Sequence, residues 1–407
     1  MKRATVLACA AFLAAALSAA DAPIQSDLLR IYGGLVKISS GRSFTIQTNG
    51  VAAGKFMGSI FSEYTIWNPQ LQAMMAEMPS AKISILSTMM GDRVDFSVSG
   101  RLPAGSRLAK ELAAVKPVSP ALFKYIPANA SVVYVSGVPG DSPLDRHALP
   151  IRGRLVEQLR AMMPPRATYR DFAAFAAPAK KGPGIALVVV FRLASAVPPL
   201  DALVGKKLGS VFTLEAAKTD DDPPPDGFYR YSLGSSLKSV IVGTSGDELD
   251  ETLRFAAAAN GVMGPMTLEC TCSDGYVFFD VGPVGDLGAR LSRPESRTFS
   301  VNSLMPLLRP DLTPVGIRTA IYASPSVAAR RTLSGLGALL RPVKAGLAPD
   351  GDGLSGVVTT TPEGDFTWGW SVSRSELEAY EKNQGVVQNT FKTILMQGVQ
   401  FSGLGGK

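Results

Sequence analysis

Alternation of apolar and polar residues recurs along this chain in pairs of short runs. A period of two is the mark of half-buried strands joined as hairpins. Three segments follow one plan of strand, turn, strand, and then a helix opened by a polar residue. The first is AKISILST, MMGD and RVDFSVSG followed by SRLAKELAAV (Ala81–Val115). The second is GFYRYSLG, SS and LKSVIVGTS followed by GDELDETLRFAAAA (Gly227–Ala259). The third is GLSGVVTTTPEGDFTWGWSVS followed by RSELEAYEKN (Gly353–Asn383). Gly91-Asp92 and Glu363-Gly364-Asp365 supply turn residues. In the first and third copies the second strand ends alike, Phe96-Ser97-Val98-Ser99 against Trp370-Ser371-Val372-Ser373.

What precedes the later hairpins also matches. SVVYVSGVPGD (Ser131–Asp141) parallels YVFFDVGPVGD (Tyr276–Asp286), and Gly184-Ile185 and Gly316-Ile317 each open a further apolar strand. The most apolar stretch, GIALVVVF (Gly184–Phe191), is rich in β-branched residues and is stopped by Arg192 and Pro198-Pro199, so it reads as a buried strand. The expected fold class is therefore α+β: repeated units of strand–helix–strand–helix–hairpin–helix, forming mainly antiparallel sheets covered by helices. KPVSP (Lys116–Pro120) and NGVMGP (Asn260–Pro265) mark the joins. The resulting division is a leader over 1–20, a shortened unit over 21–118 with SFTIQT (Ser43–Thr48) as its lone first strand, a central unit over 119–262, a C-terminal unit over 263–383, and a tail helix with a glycine-rich end over 384–407.

The phrase YIPANASVVYVSG (Tyr125–Gly137), with the helix, strand and hairpin expected after it, resembles an uncharacterised family of exported bacterial proteins, a domain of unknown function. The likeness covers residues of about 120–260. It implies an exported α+β protein and carries no activity or site residues with it.

The N-terminus points to the same compartment. Lys2 and Arg3 precede the uncharged run Thr5–Leu17, and Ser18-Ala19-Ala20 offers small residues for cleavage before Asp21. Lipidation at Cys9 is disfavoured, because the apolar run continues past that cysteine. Loss of residues 1–20 removes Lys2 and Arg3 and lowers the net charge from +7 to +5. The remaining surplus is scattered in pairs such as Lys180-Lys181 and Arg330-Arg331, unlike the concentrated basic face of a nucleic-acid binder. No later run suggests a transmembrane segment, so a periplasmic or extracellular protein is expected.

Few motifs carry chemistry. Cys270 and Cys272 share one strand face, and their spacing suits neither an unstrained disulfide nor, with one histidine in the chain, a metal site. The possible thiol pair stands as structural thiols, a disulfide, or a metal or redox site. His147 lies in a proline-flanked loop with no nucleophile elbow to serve. Ser235-Ser236-Leu237-Lys238 precedes a strand pattern where a Ser-x-x-Lys site needs a helix. Asp350-Gly351-Asp352-Gly353 lacks the closing glutamate of a calcium loop. Asp247-Glu248 and Asp250-Glu251 suit the start of a helix. Trp368 and Trp370 share a face with Phe366, and offer either a ligand-stacking platform or the core face of a hairpin. No cofactor and no catalytic or metal-binding residue is assigned. The expected function is a non-catalytic exported envelope protein with a binding or scaffolding role, its partner an unknown protein or envelope component, with homo-oligomerisation through the tail as an option. The alternatives are a hydrolase, with glycans as one substrate class, whose carboxylates meet only in the fold, and a carrier of an apolar ligand.

Overall fold

The computed structural model describes residues 24–39, 42–61, 75–103, 105–107, 109–110, 116–137, 159, 161–162, 169–180, 185–194, 200–208, 212–216, 224–234, 266–292, 297–308, 312–313, 316–324, 326–327, 353–360, 365–379 and 382. The leader, Cys9, His147, the second strand of the middle hairpin and the tail lie outside them. The strands are β1 (Ser43–Thr48), β2 (Ala81–Ser87), β3 (Arg93–Arg101), β4 (Val132–Ser136), β5 (Tyr169–Pro178), β6 (Ile185–Leu193) and β7 (Lys207–Leu208). They continue with β8 (Phe212–Ala216), β9 (Phe228–Gly234), β10 (Met266–Ser273), β11 (Tyr276–Pro283), β12 (Ile317–Ala323), β13 (Leu354–Thr360) and β14 (Asp365–Ser373). All belong to one 14-stranded sheet of order β1-β2-β3-β14-β13-β12-β4-β5-β6-β11-β10-β9-β8-β7. Neighbours are antiparallel throughout. Helices among the described residues are α1 (Ile24–Ile38), α2 (Gly50–Phe61) and α3 (Asp286–Ser292), with a helical turn over 374–379.

This overturns the expected α+β class of repeated strand–helix units. The chain builds one large β-sheet with few described helices, and the physical reason is visible at β5. That strand lies where the strand–helix–strand plan puts a helix, and its run DFAAFAA is alanine-rich, a composition that favours helix locally. Between β4 and β6, however, Ala174 and Ala176 pack on one face and Ala173 and Ala177 on the other, with Phe172 and Phe175 on opposite faces. Burial on both faces overrides local propensity.

The two apolar faces build two cores. On the front, Ile83, Ile85, Phe96, Tyr134, Phe172, Phe191, Phe279 and Trp368 meet Tyr32 and Leu35 of α1 and Ala53 of α2. On the back, Val133, Val135, Phe175, Val188, Val190 and Phe278 are covered by two loops with short 3-10 turns, Pro120–Tyr125 and Val301–Leu304. The loops clasp each other: Pro127 bridges Thr298, and Phe299 N–H donates to the Ile126 carbonyl at 2.9 Å. The like-ending strands β3 and β14 lie side by side, with Phe96 directly opposite Trp370. On its other side Trp370 faces Gly356, where an added Cβ would come within 3.1 Å of the indole ring.

Candidate functional site

The thiol pair and the tryptophan pair singled out from the sequence fall inside the sheet, whereas Ser235–Lys238, Asp247–Glu251 and Asp350–Asp352 lie outside the described residues. Cys270 is buried in the front core, opposite Phe279 and Tyr229, and Cys272 is half-buried beside it. Both are free thiols. Burial pushes the Cys272 thiol up to about 11 and Cys270 further still, with the neighbouring Cys272 and Glu269 adding to the rise at Cys270. A thiol held that far from ionisation is a weak nucleophile and a weak metal ligand at neutral pH. Trp368 is 4% exposed and stacks edge-on against Phe96 at 6.1 Å, so its faces belong to the core. Trp370 is half-buried, edge-on to Trp368 at 6.2 Å. The structure separates this tryptophan pair on β14 from the cysteine pair on β10 by seven places in the strand order, so they form no common site. Among the described residues no group of three or more His, Cys, Asp or Glu is placed to hold a metal ion.

The polar groups that the fold does assemble are carboxylates that receive backbone amides from loops outside the strands. A loop crossing a sheet brings backbone N–H groups that no ladder satisfies, and buried amides need acceptors. Asp95 of β3 accepts from Leu307 and Leu308 N–H at 2.7 and 3.1 Å, tying down the second loop where Met305 fits over Gly369. Asp171 of β5 accepts from Ser119 N–H at 2.6 Å at the start of the first loop, and holds Arg192 in a two-point pair at 2.6 and 2.9 Å. Glu376, fully buried, accepts from Ser326 N–H at 2.6 Å and from Gly353 N–H at 3.3 Å, with the hydroxyls of Ser324 and Ser326 each at 2.9 Å. Burial holds the Asp95 and Glu376 carboxyls above the ordinary range, and the hydrogen bonds that each accepts pull back against it.

A denser cluster lies at the other end. Glu269 of β10 accepts from Arg230 Nε at 2.8 Å, Gly285 N–H at 2.6 Å and Leu287 N–H at 3.0 Å. Asp286, the first residue of α3, accepts from Arg290 at 2.8 Å and from the Lys180 N–H. Arg290 also donates to the Pro178 carbonyl at 3.1 Å, and its Nε lies 3.6 Å from Asp280 of β11. Three carboxyls and two guanidiniums give one surplus negative charge if all ionise. Burial first, and then Asp286 beside it, drive the Asp280 carboxyl well above the usual range, while Arg290 opposes them. A proton on Asp280 balances the cluster. Asp280 and Asp286 are 1% and 0% exposed, so the pair is sealed from bulk water.

Sequence reasoning missed these acids, although three of them gave a signal. A carboxylate inside an apolar strand run, as in Val94-Asp95-Phe96, Leu268-Glu269-Cys270 and Phe279-Asp280-Val281, is depleted in strands and needs a partner to be buried.

At the opposite end of the molecule the β2–β3 turn presents Met89 and Met90 to solvent, 83% and 82% exposed. The turn is braced from within and without. Thr88 Oγ1 accepts from Asp92 and Arg93 N–H at 2.8 and 3.2 Å, and Gly91, at φ +67, donates its N–H to the Thr88 carbonyl at 2.9 Å. The buried hydroxyl of Tyr32 on α1 donates to the Gly91 carbonyl, and Arg374 N–H donates to the Asp92 carbonyl at 2.8 Å. Two adjacent thioethers are thus held out on a turn that its own Thr88 and two other elements fix in place. No helix of the described residues is long and apolar enough to cross a membrane. No family model, no curated protein and no solved structure matches this chain.

Proposed function

We propose that this protein is a non-catalytic binding or scaffolding component of the bacterial envelope, exported through the leader over residues 1–20. The observation that carries the reading is the braced Met89–Met90 turn. Methionine side chains adapt to irregular apolar surfaces, and a backbone already held in place loses little further freedom on binding. The buried acids support the same reading. Asp95, Asp171, Glu269, Asp286 and Glu376 each accept from backbone amides of residues outside the strands. A hydrolase acting through paired carboxyls needs them open to substrate and water, whereas Asp280 and Asp286 are enclosed.

The test is co-sedimentation of the mature protein with an envelope preparation that retains its lipid, glycan and protein. Wild type is expected in the pellet. Met89→Lys/Met90→Lys is expected in the supernatant with an unchanged thermal midpoint, since neither side chain is packed. A wild-type chain that stays in the supernatant, or a variant that pellets equally, counts against the reading. Mass spectrometry of the exported chain checks the leader, with Asp21 expected as its first residue.

A further inference from the structure

The two ends of the sheet are finished differently. Among the described residues, one end is β7, two residues long and carrying Lys207. Short strands and lysines are the usual means of blunting an edge against unwanted pairing. The other end is β1, which pairs with β2 at all six positions, Ser43↔Leu86 through Thr48↔Ala81, without a bulge. Its sequence SFTIQT holds no charge, no proline and no glycine. Thr45, Ile46 and Gln47 are all exposed, and no described strand lies on the outer side of β1.

Ile46 sharpens the contrast. It is paired with Ile83, and so points to the front face, where Ile83 and Ile85 are buried in the core. Phe44, two residues away on that face, packs against the same core, yet Ile46 is 44% exposed. Among the described residues the core therefore stops at a part-exposed isoleucine on the rim of a strand with no outer neighbour.

We propose that β1 pairs with β1 of a second copy of this chain, in antiparallel register about a two-fold axis at Thr45, joining two sheets edge to edge. Residues directly opposite each other in an antiparallel pair point to the same face, so a two-fold axis perpendicular to the sheet must set one residue against itself. With the axis at Thr45, Ile46 stands opposite the partner's Phe44 and Phe44 opposite the partner's Ile46, while Ser43 meets the partner's Gln47. The pairing makes two aromatic–aliphatic contacts and one Thr–Thr contact, both favourable cross-strand pairs. It also carries each front core across the join. A strand with no charged side chain sets no like charges against its own copy, which is what suits it to self-pairing.

Light scattering on the mature protein, with Ile46→Lys and Thr45→Cys variants, tests this. Wild type is expected at twice the chain mass, and Ile46→Lys at the mass of one chain with the same far-ultraviolet circular dichroism. Thr45→Cys should form an intermolecular disulfide under mild oxidation that wild type does not form. A wild-type monomer overturns the proposal, and so does a folded Ile46→Lys variant that remains a dimer. If Ile46→Lys fails to fold, the cysteine variant decides: the crosslink supports the pairing, and its absence overturns it.

Discussion

At the scale of single residues, Asp95 sits fully buried with two loop amides on one carboxylate oxygen. Leaving a buried amide without an acceptor costs about 1–3 kcal/mol. Asp95→Ala orphans two, so a loss of at least about 2 kcal/mol is expected in urea unfolding, with Asp95→Asn recovering part of it. Asp280 gives a pH dependence of known sign. Its carboxyl titrates well above the ordinary value in the folded protein, so the unfolded chain gives up this proton first as pH rises. Above the ordinary aspartate value the folded state binds more protons, and the contribution of this residue to stability falls as pH increases. Asp280→Asn does not titrate, so its thermal midpoint should drop less than that of wild type between about pH 5 and pH 8. Equal slopes would remove Asp280 as the source. These acids were visible in the sequence as charges within apolar strands. What they hold was not, because Leu307 and Leu308 are more than two hundred residues from Asp95.

At the scale of elements, period-two alternation located the β2–β3 and β13–β14 hairpins, and the apolar runs of β4, β6, β11 and β12, close to where they lie. Those strands pair locally or bury long β-branched runs, and both properties are written in neighbouring residues. β5 was hidden by its alanines, and β7 and β8 are too short to show a period. The back-face cover was hidden for another reason: loops have no period, and they lie down only because glycines and acids receive them. Gly137, just past the end of β4, is such a receiver. A Cβ there would come 1.9 Å from the Lys116 carbonyl oxygen, a contact that backbone must move to relieve. Gly137→Ala should displace the first loop where it enters, with a loss of about 1–3 kcal/mol. Amide hydrogen exchange should rise at Val118, whose N–H donates to the Ile317 carbonyl at 2.7 Å. A variant as stable and as protected as wild type would show that the loop entry is not held at this glycine.

At the scale of the whole molecule, the chain order and the sheet order are interleaved. β3 pairs with β14, β4 with β12, β6 with β11, and β9 with β10, so strands from before and after residue 262 alternate in blocks. A fragment over residues 21–262 keeps β3, β4, β6 and β9 and strips each of a neighbour. It should show no cooperative unfolding transition, whereas a chain over residues 21–407 should show one. A folded fragment would mean that the central strands support themselves. Local patterns cannot announce such an order, since any alternating strand can pair with any other. The late arrival of β14 also sets a clock. Its last residue, Ser373, must be made before the hairpin at residues 81–101 has both of its neighbours, so the sheet cannot close while the chain is still emerging. Long-range pairing of this kind is slow to form. If the chain is exported as proposed above, the unfolded interval that follows synthesis is the window in which an export channel would take it, and a permutation that shortened that interval would place folding and transport in competition.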